Sequence, residues 1–346
     1  MRIAGREIGP GHRTYIIAEL SANHTQSFDR AVELIKAAQE AGADAVKLQT
    51  YTPDTITMAS QKEYFRISGG TLWDGRTLYD LYRDAYTPWE WQPELKAVAE
   101  ELGITLFSTP FDPTAVEFLE ALEVPAYKIA SFELVDLPLI RLVAQTGKPL
   151  IMSTGMATLG EIEEAVNAAR EAGARDIALL RTNSAYPAPP AEMHLRTIPH
   201  LAQTFGVPAG LSDHTLELAV PVTAVALGAS IIEKHLTLSR DLGGPDSAFS
   251  LEPHEFRAMV EAVRIAEEAL GEVRYGPTAH EEGSRIFRRS LFAIANIKAG
   301  EVLTWEKVRS IRPGHGLHPR HLPEVLGRRA LRDIPAGTPL SWDLLE

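Results

Sequence analysis

From residue 15 to about residue 270 the chain alternates short apolar, β-branched runs with longer stretches whose apolar residues recur at helical spacing. The short runs predict eight strands: YIIAEL (15–20), DAVKLQT (44–50), ITLFSTP (104–110), AYKIAS (126–131), KPLIMSTG (148–155), DIALLRTNS (176–184), PAGLSD (208–213) and SIIEKHLT (230–237). Between them, stretches such as FDRAVELIKAAQEAG and LGEIEEAVNAAREAG predict amphipathic helices, each closed by a glycine suited to the position after the last turn. Eight strand–helix units fit an α/β fold of the (β/α)8 TIM-barrel type in number and length. A doubly wound sheet is the alternative, but no predicted strand runs into a GxGxxG turn. Residues 51–92, rich in Tyr and Trp, form an unusually long connection and predict a lid over one end.

The pattern changes after Gly271. GEVRYGPTAHEEGSR reads as a linker, and beyond it short strands alternate with turn signals: SLFAIANIKAGEVLT, IRPGHGLHP and RRALRDIPAGTPLS. IKAGEVLT and IPAGTPLS look alike, each setting an apolar residue before a glycine turn. The predicted organisation is a barrel over 1–272, a linker over 273–286 and a small β-rich domain over 287–346. Charge divides at the same place: residues 285–346 carry 11 basic and 6 acidic side chains, a net of +5, against −17 for residues 1–284.

Over the 346 residues, 45% are hydrophobic and 23% charged, which is ordinary for a folded soluble protein. The net charge of −12 argues against general nucleic-acid binding, which needs clustered cations. With no cysteine, disulfides, thiolate nucleophiles and Cys-ligated zinc are excluded, so a metal must be held by His, carboxylate or water. No apolar stretch is long enough to span a bilayer, and no basic start precedes an apolar run, so a cytoplasmic protein without membrane contact is expected.

In such barrels chemistry sits at the C-terminal strand ends, where inward side chains alternate with period two. The strand ends here supply Glu19, Lys47 with Gln49, Ser108 or Thr109, Lys128 with Ser131, Ser153 or Thr154, Asn183, His214, and Glu233 with His235. One polar strand end is unremarkable, since every strand must leave the core. Eight ends able to bind anions, metals or protons describe one polar pocket. The lysines and hydroxyls suit a small phosphate or carboxylate. His214 and His235 suit either a divalent metal or two ordinary hydrogen-bonded histidines. As a metal site with only two imidazoles and no thiolate, the pair favours manganese or magnesium completed by water and substrate.

At these residues the chain resembles a known family. IAELSANH, VKLQTYTPD, FSTPFD, YKIAS, IMSTGMA, SDHT and IIEKHLT are similar to successive motifs of the sialic acid synthases. RRSLFAI, IKAGEVLT, RPGHGL and DIPAGTPL are similar to the SAF (antifreeze-like) module that follows them, so the resemblance covers essentially the whole chain. It implies a metal-dependent TIM barrel, a domain-swapped homodimer, and condensation of phosphoenolpyruvate with an N-acylated sugar to a nine-carbon 2-keto acid. Ser247 after the GPD motif, where N-acetylneuraminate synthases usually carry His, together with SANH and RPGHGLHP, is more similar to the pseudaminic acid synthase branch. That branch uses 2,4-diacetamido-2,4,6-trideoxy-L-altrose; N-acetylneuraminate or legionaminate synthesis is the alternative. More distant are a 3-deoxy-heptulosonate or octulosonate phosphate synthase and a non-enzymatic ice- or carbohydrate-binding protein. Carried over by motif, the resemblance implies His214 and His235 as ligands of Mn2+ (or Mg2+ or Co2+). It implies catalytic roles for Glu19, Lys47, Lys128 and Asp246. Substrate binding falls to Gln49, Ser108, Thr109, Ser131, Ser153, Asn183, Tyr186, Glu233 and Arg312, the last from the partner's C-terminal domain.

Overall fold

The eight apolar runs close on themselves in the computed structural model, which describes residues 1–346. Strands β1 (Tyr15–Glu19), β2 (Ala45–Thr50), β3 (Thr105–Pro110), β4 (Tyr127–Ile129), β5 (Leu150–Ser153), β6 (Ile177–Thr182), β7 (Ala209–Asp213) and β8 (Ile231–His235) pair in parallel with their sequence neighbours, and β8 returns to β1. Each is followed by a helix: α1 (Phe28–Glu40), α2 (Gln92–Glu101), α3 (Pro113–Ala121), α4 (Leu137–Gln145), α5 (Leu159–Glu171), α6 (Thr197–Phe205), α7 (Ala219–Ala226) and α8 (Pro253–Leu270). The fold is a (β/α)8 barrel, and a short antiparallel ribbon, Arg2–Ile3 with Arg6–Glu7, precedes it.

The local causes are visible in the helices. In α1, Ala31, Leu34, Ile35 and Ala38 form the buried stripe, Ser27 caps the start by accepting from Arg30 N, and Gly42 follows at φ +89°. In α5, Thr158 and Glu161 form a reciprocal capping box, and Gly173 follows at φ +109°. Inside the barrel, Gly210 of β7 allows close approach: a Cβ there would lie 2.3 Å from the Ile231 carbonyl oxygen and 2.9 Å from Leu180.

The long connection after β2 is folded. It contains a helix over Leu78–Ala85 and is tied to the loop after β1, where His24 Nε2 meets Thr87 Oγ1 at 3.2 Å and Gln26 Nε2 donates to the Tyr86 carbonyl at 2.7 Å. Trp73 reaches the loop after β8, donating from Nε1 to the Pro245 carbonyl at 3.0 Å.

The chain divides into two units, Met1–Gly271 and Glu272–Glu346. The second has its own small core, including Leu291, Ile297, Leu303, Val308, Ile334 and Leu340. An antiparallel pair, β9 (Ser290–Ala293) with β10 (Val308–Ile311), is its regular element. The two look-alike phrases pair with each other: Ile297 and Ile334 exchange backbone hydrogen bonds of 2.9 and 2.8 Å, each ahead of a glycine turn at Gly300 or Gly337. No helix is long and apolar enough to cross a membrane.

Candidate active site

Register aligns the strand ends, with Glu19 opposite both Lys47 and His235, Gln49 opposite Thr109, and Glu233 opposite Ser212. Period-two alternation then gathers their side chains into one buried network. Lys47 Nζ pairs with Glu19, donates to Thr109 Oγ1 at 3.1 Å and lies 3.9 Å from Glu233. Lys128 Nζ donates to both Glu233 oxygens at 2.8 Å, and Ser212 Oγ adds a third bond at 3.0 Å. Gln49 Nε2 donates to Glu19 at 3.1 Å and Ser21 Oγ at 3.2 Å, and Ser21 donates to Asp246.

Burial and pairing split these groups electrostatically. Burial lifts the Glu19 carboxyl to about 7 despite the Lys47 ammonium beside it, and the Glu233 charge adds to the rise. Glu233 is equally buried, but Lys128 and Lys47 overcome that cost and hold it below the usual carboxylate range, at about 2. Burial lowers Lys128 to about 8, and Glu233 limits the fall. The centre therefore holds two cations, one firm carboxylate and one carboxyl whose burial raises its affinity for a proton.

Beside this network lies a cradle of hydroxyls. The Ser153 and Ser184 hydroxyls are buried without a partner, and Gly155 N donates to Ser131 Oγ at 3.1 Å. A Cβ on Gly155 would fall 2.3 Å from Ser184 Oγ and 2.7 Å from Ser131 Oγ, so only glycine leaves this space open.

His214 and His235 face each other with ring centroids 5.3 Å apart, and both pack on Phe249. His214 Nδ1 bonds the Asn183 carbonyl at 2.7 Å, whereas His235 Nδ1 is buried with no partner. Burial lowers His214 to about 4, and burial with help from neighbouring positive charge holds His235 well below the ordinary imidazole range, so both rings present neutral imidazole lone pairs. An orphaned buried nitrogen beside a second neutral imidazole fits a divalent ion. No third His, Asp or Glu joins them as a ligand group, so a metal held here would complete its shell with water and substrate.

Glu19, Lys47, Gln49, Thr109, Lys128, Glu233 and Asp246 thus share one network of hydrogen bonds and ion pairs, its two halves joined by the 3.9 Å Lys47–Glu233 pair, and Ser131 and Ser153 line the cradle. Tyr186 packs against His214 in a tilted pair, ring centroids 4.5 Å apart, and meets Trp73 at 5.6 Å. Two expected residues point elsewhere. Ser108 lies one position before Thr109 and so on the opposite face, where its hydroxyl bonds Thr50 Oγ1 at 2.6 Å. The Asn183 side chain serves its own turn, accepting from Ala185 N at 2.9 Å and facing Glu192; it meets the site through its backbone carbonyl. Arg312 is exposed in the second unit. Strand-end reading overlooked Ser21, Ser184, Ser212 and Glu133. Ser212 had a signal, lying two residues before His214 and opposite Glu233. Glu133, whose Oε2 is buried without a partner, lies in a loop turn with no periodicity to mark it.

The NeuB family matches residues 34–275 and the SAF domain residues 288–346. The pseudaminic acid synthase of Helicobacter pylori is 47% identical over 333 residues, covering 96% of this chain and 97% of that protein. The N,N'-diacetyllegionaminic acid synthase of Legionella pneumophila is 34% identical, covering 98% and 96%. Among solved structures, the spore coat polysaccharide biosynthesis protein SpsE of Bacillus subtilis superposes with a TM-score of 0.67 at 34% identity, covering 100% of this chain and 99% of that one.

Proposed function

Because the chain belongs to the NeuB family and ends in a SAF domain, we propose that it condenses phosphoenolpyruvate with 2,4-diacetamido-2,4,6-trideoxy-L-altrose and water, giving pseudaminate and phosphate by carbon–oxygen cleavage. The reaction class is carried by one observation, the meeting of two buried lysines, a hydroxyl cradle and two neutral imidazoles at one barrel mouth. The choice of sugar is supported by 47% identity to a pseudaminic acid synthase against 34% to a legionaminic acid synthase.

In this reading Lys47, Thr109, Lys128, Ser131 and Ser153 bind the phosphate and carboxylate, and the buried Ser184 hydroxyl supplies a donor that the Asn183 side chain does not. Their fixed geometry sets C3 of the alkene against the C1 aldehyde of the open-chain sugar. His214 and His235 would hold a divalent ion, Mn2+ ahead of Mg2+ or Co2+, which when bound supplies Lewis acidity toward a carbonyl oxygen. Carbon–carbon bond formation leaves cationic character at C2, which water attacks before phosphate departs. Glu19, with a carboxyl near 7, is suited to take the proton of that water. Glu233 fixes both lysines, and Asp246, tied to Gln49 through Ser21, faces the sugar with Tyr186. Arg312 is assigned to the sugar's N-acyl group from the partner protomer of a domain-swapped homodimer. The cytoplasm, which supplies phosphoenolpyruvate, is its proposed location.

The test is phosphate release from phosphoenolpyruvate against a panel of N-acylated sugars, with the product acid identified by mass spectrometry. The diacetamido-trideoxy-altrose should give the highest kcat/KM. Preference for N-acetylmannosamine or a legionaminate precursor would replace the sugar and keep the chemistry. No phosphate release with any of them would overturn the reading.

A further inference from the structure

The two imidazoles are not anchored alike. His214 is aimed by the Asn183 carbonyl, but neither ring nitrogen of His235 makes a hydrogen bond, so whichever one faces an ion, nothing on the other orients the ring. In metal sites a second partner on the imidazole ordinarily sets the ring's direction. Here the backbone behind the histidines is held instead.

The residue before each histidine points to the other face of the sheet, since Glu233 and His235 face the central network and Lys234 lies between them. There Lys234 Nζ donates to Asp213 Oδ2 at 2.6 Å and to the Thr215 carbonyl. Asp213 accepts in turn from Thr215 N at 2.9 Å and from Thr215 Oγ1 at 3.2 Å. The Asp213 and Lys234 side chains are 0% and 1% exposed, and their residues are direct partners in the β7–β8 register. The carboxylate therefore ties down the residues on both sides of His214, and the ammonium holds that turn to the residue preceding His235. A buried ion pair contributes little net stability compared with apolar packing, so stability is a weak reason for this one.

We propose that Asp213, Lys234 and Thr215 form a clasp that positions His214 and His235, through their backbones, at the spacing a divalent ion requires. Its members are positioning residues, and the inference rests on the reading of the two histidines as metal ligands.

The test uses full-length protein stripped with EDTA and titrated calorimetrically with Mn2+, with wild type and His235→Ala as references. The double variant Asp213→Leu/Lys234→Met removes both charges at similar volume but leaves the Thr215 amide and carbonyl without these partners, so it should fold with a lowered Tm. It should bind Mn2+ 10- to 100-fold more weakly, as loss of outer-sphere support ordinarily does. Its kcat should recover in excess Mn2+, which a general packing defect would not allow. Asp213→Asn, which keeps the shape and weakens the pair, is judged by the same Kd criterion and decides the matter if the double variant does not fold. Mn2+ affinity within twofold of wild type in the folded variants, with His235→Ala strongly impaired, overturns the clasp alone. If wild type does not bind Mn2+, or His235→Ala binds it equally well, the metal reading fails and the clasp with it.

Discussion

Gly155→Ala tests the anion cradle most directly, because the structure fixes what the new methyl group meets. Its Cβ would lie 2.3 Å from Ser184 Oγ and 2.7 Å from Ser131 Oγ. The nearer contact is more than 1 Å inside the roughly 3.5 Å at which non-bonded atoms rest. Both hydroxyls must swing away, and the bond from Gly155 N to Ser131 is strained as they do. Overpacking of this kind costs about 1–3 kcal/mol, which as lost binding is a roughly 5- to 140-fold fall in affinity. The methyl group occupies the space in which the proposed phosphate or carboxylate is held, so the loss should appear in KM for phosphoenolpyruvate. Phosphate release at saturating sugar, with phosphoenolpyruvate varied, measures it. Gly160→Ala is the control, since a Cβ there meets nothing within 4 Å, and it should leave the kinetics unchanged and, because it lies in α5, keep or slightly raise Tm. A Gly155→Ala enzyme with kcat/KM for phosphoenolpyruvate within twofold of wild type would show that the cradle does not hold the anion.

Lys128→Met leaves Glu233 buried with only Ser212 and the more distant Lys47, and should destabilise the fold by about 3 kcal/mol, the low end for a broken buried pair, in urea denaturation. Unchanged stability would mean the pair is not buried as described. Glu133 gives a pH signature: burial lifts its carboxyl from 4.5 to about 7, with Asp136 adding to the rise. Because the folded pKa is the higher one, its contribution is fully present below about pH 4.5 and lost as pH rises through 7, reaching at most about 3 kcal/mol. Glu133→Gln should therefore match wild type in stability near pH 4 and exceed it near pH 8, and a pH-independent difference would refute the assignment. Exhaustive chelation should abolish turnover and Mn2+ should restore it; full activity without metal removes the role given to His214 and His235. Co-expressed Arg312→Ala and His235→Ala chains, each inactive alone, should recover about a quarter of wild-type activity if a random dimer pairs one intact barrel with one intact C-terminal domain. No recovery would rule out the swapped arrangement.

The barrel was legible because its strands are short, apolar and separated by capped amphipathic helices, and Ser27, Thr158, Gly42 and Gly173 act as the local pattern implies. Within the site, the same period-two rule divided success from failure. Lys47 and Gln49, or Glu233 and His235, lie two apart and share the inner face, so their strands declare them. Ser108 and Thr109 are adjacent, and only register against Gln49 decides between them: Thr109 faces Lys47, and Ser108 turns to Thr50. Beyond the last strand residue the rule lapses, because loop backbones choose their own directions. Asn183 folds back on its own turn while Ser184, one residue on, leaves a bare hydroxyl against Gly155. The outer face of the sheet hid its chemistry for a different reason. Asp213 and Lys234 look like charges placed where a strand leaves the core, yet each sits immediately before a histidine, and pairing opposite each other in register makes them one buried unit. A charged residue next to a candidate ligand in each of two neighbouring strands is therefore a signal in its own right. Under the proposed clasp it marks the two backbones that carry the candidate ligands.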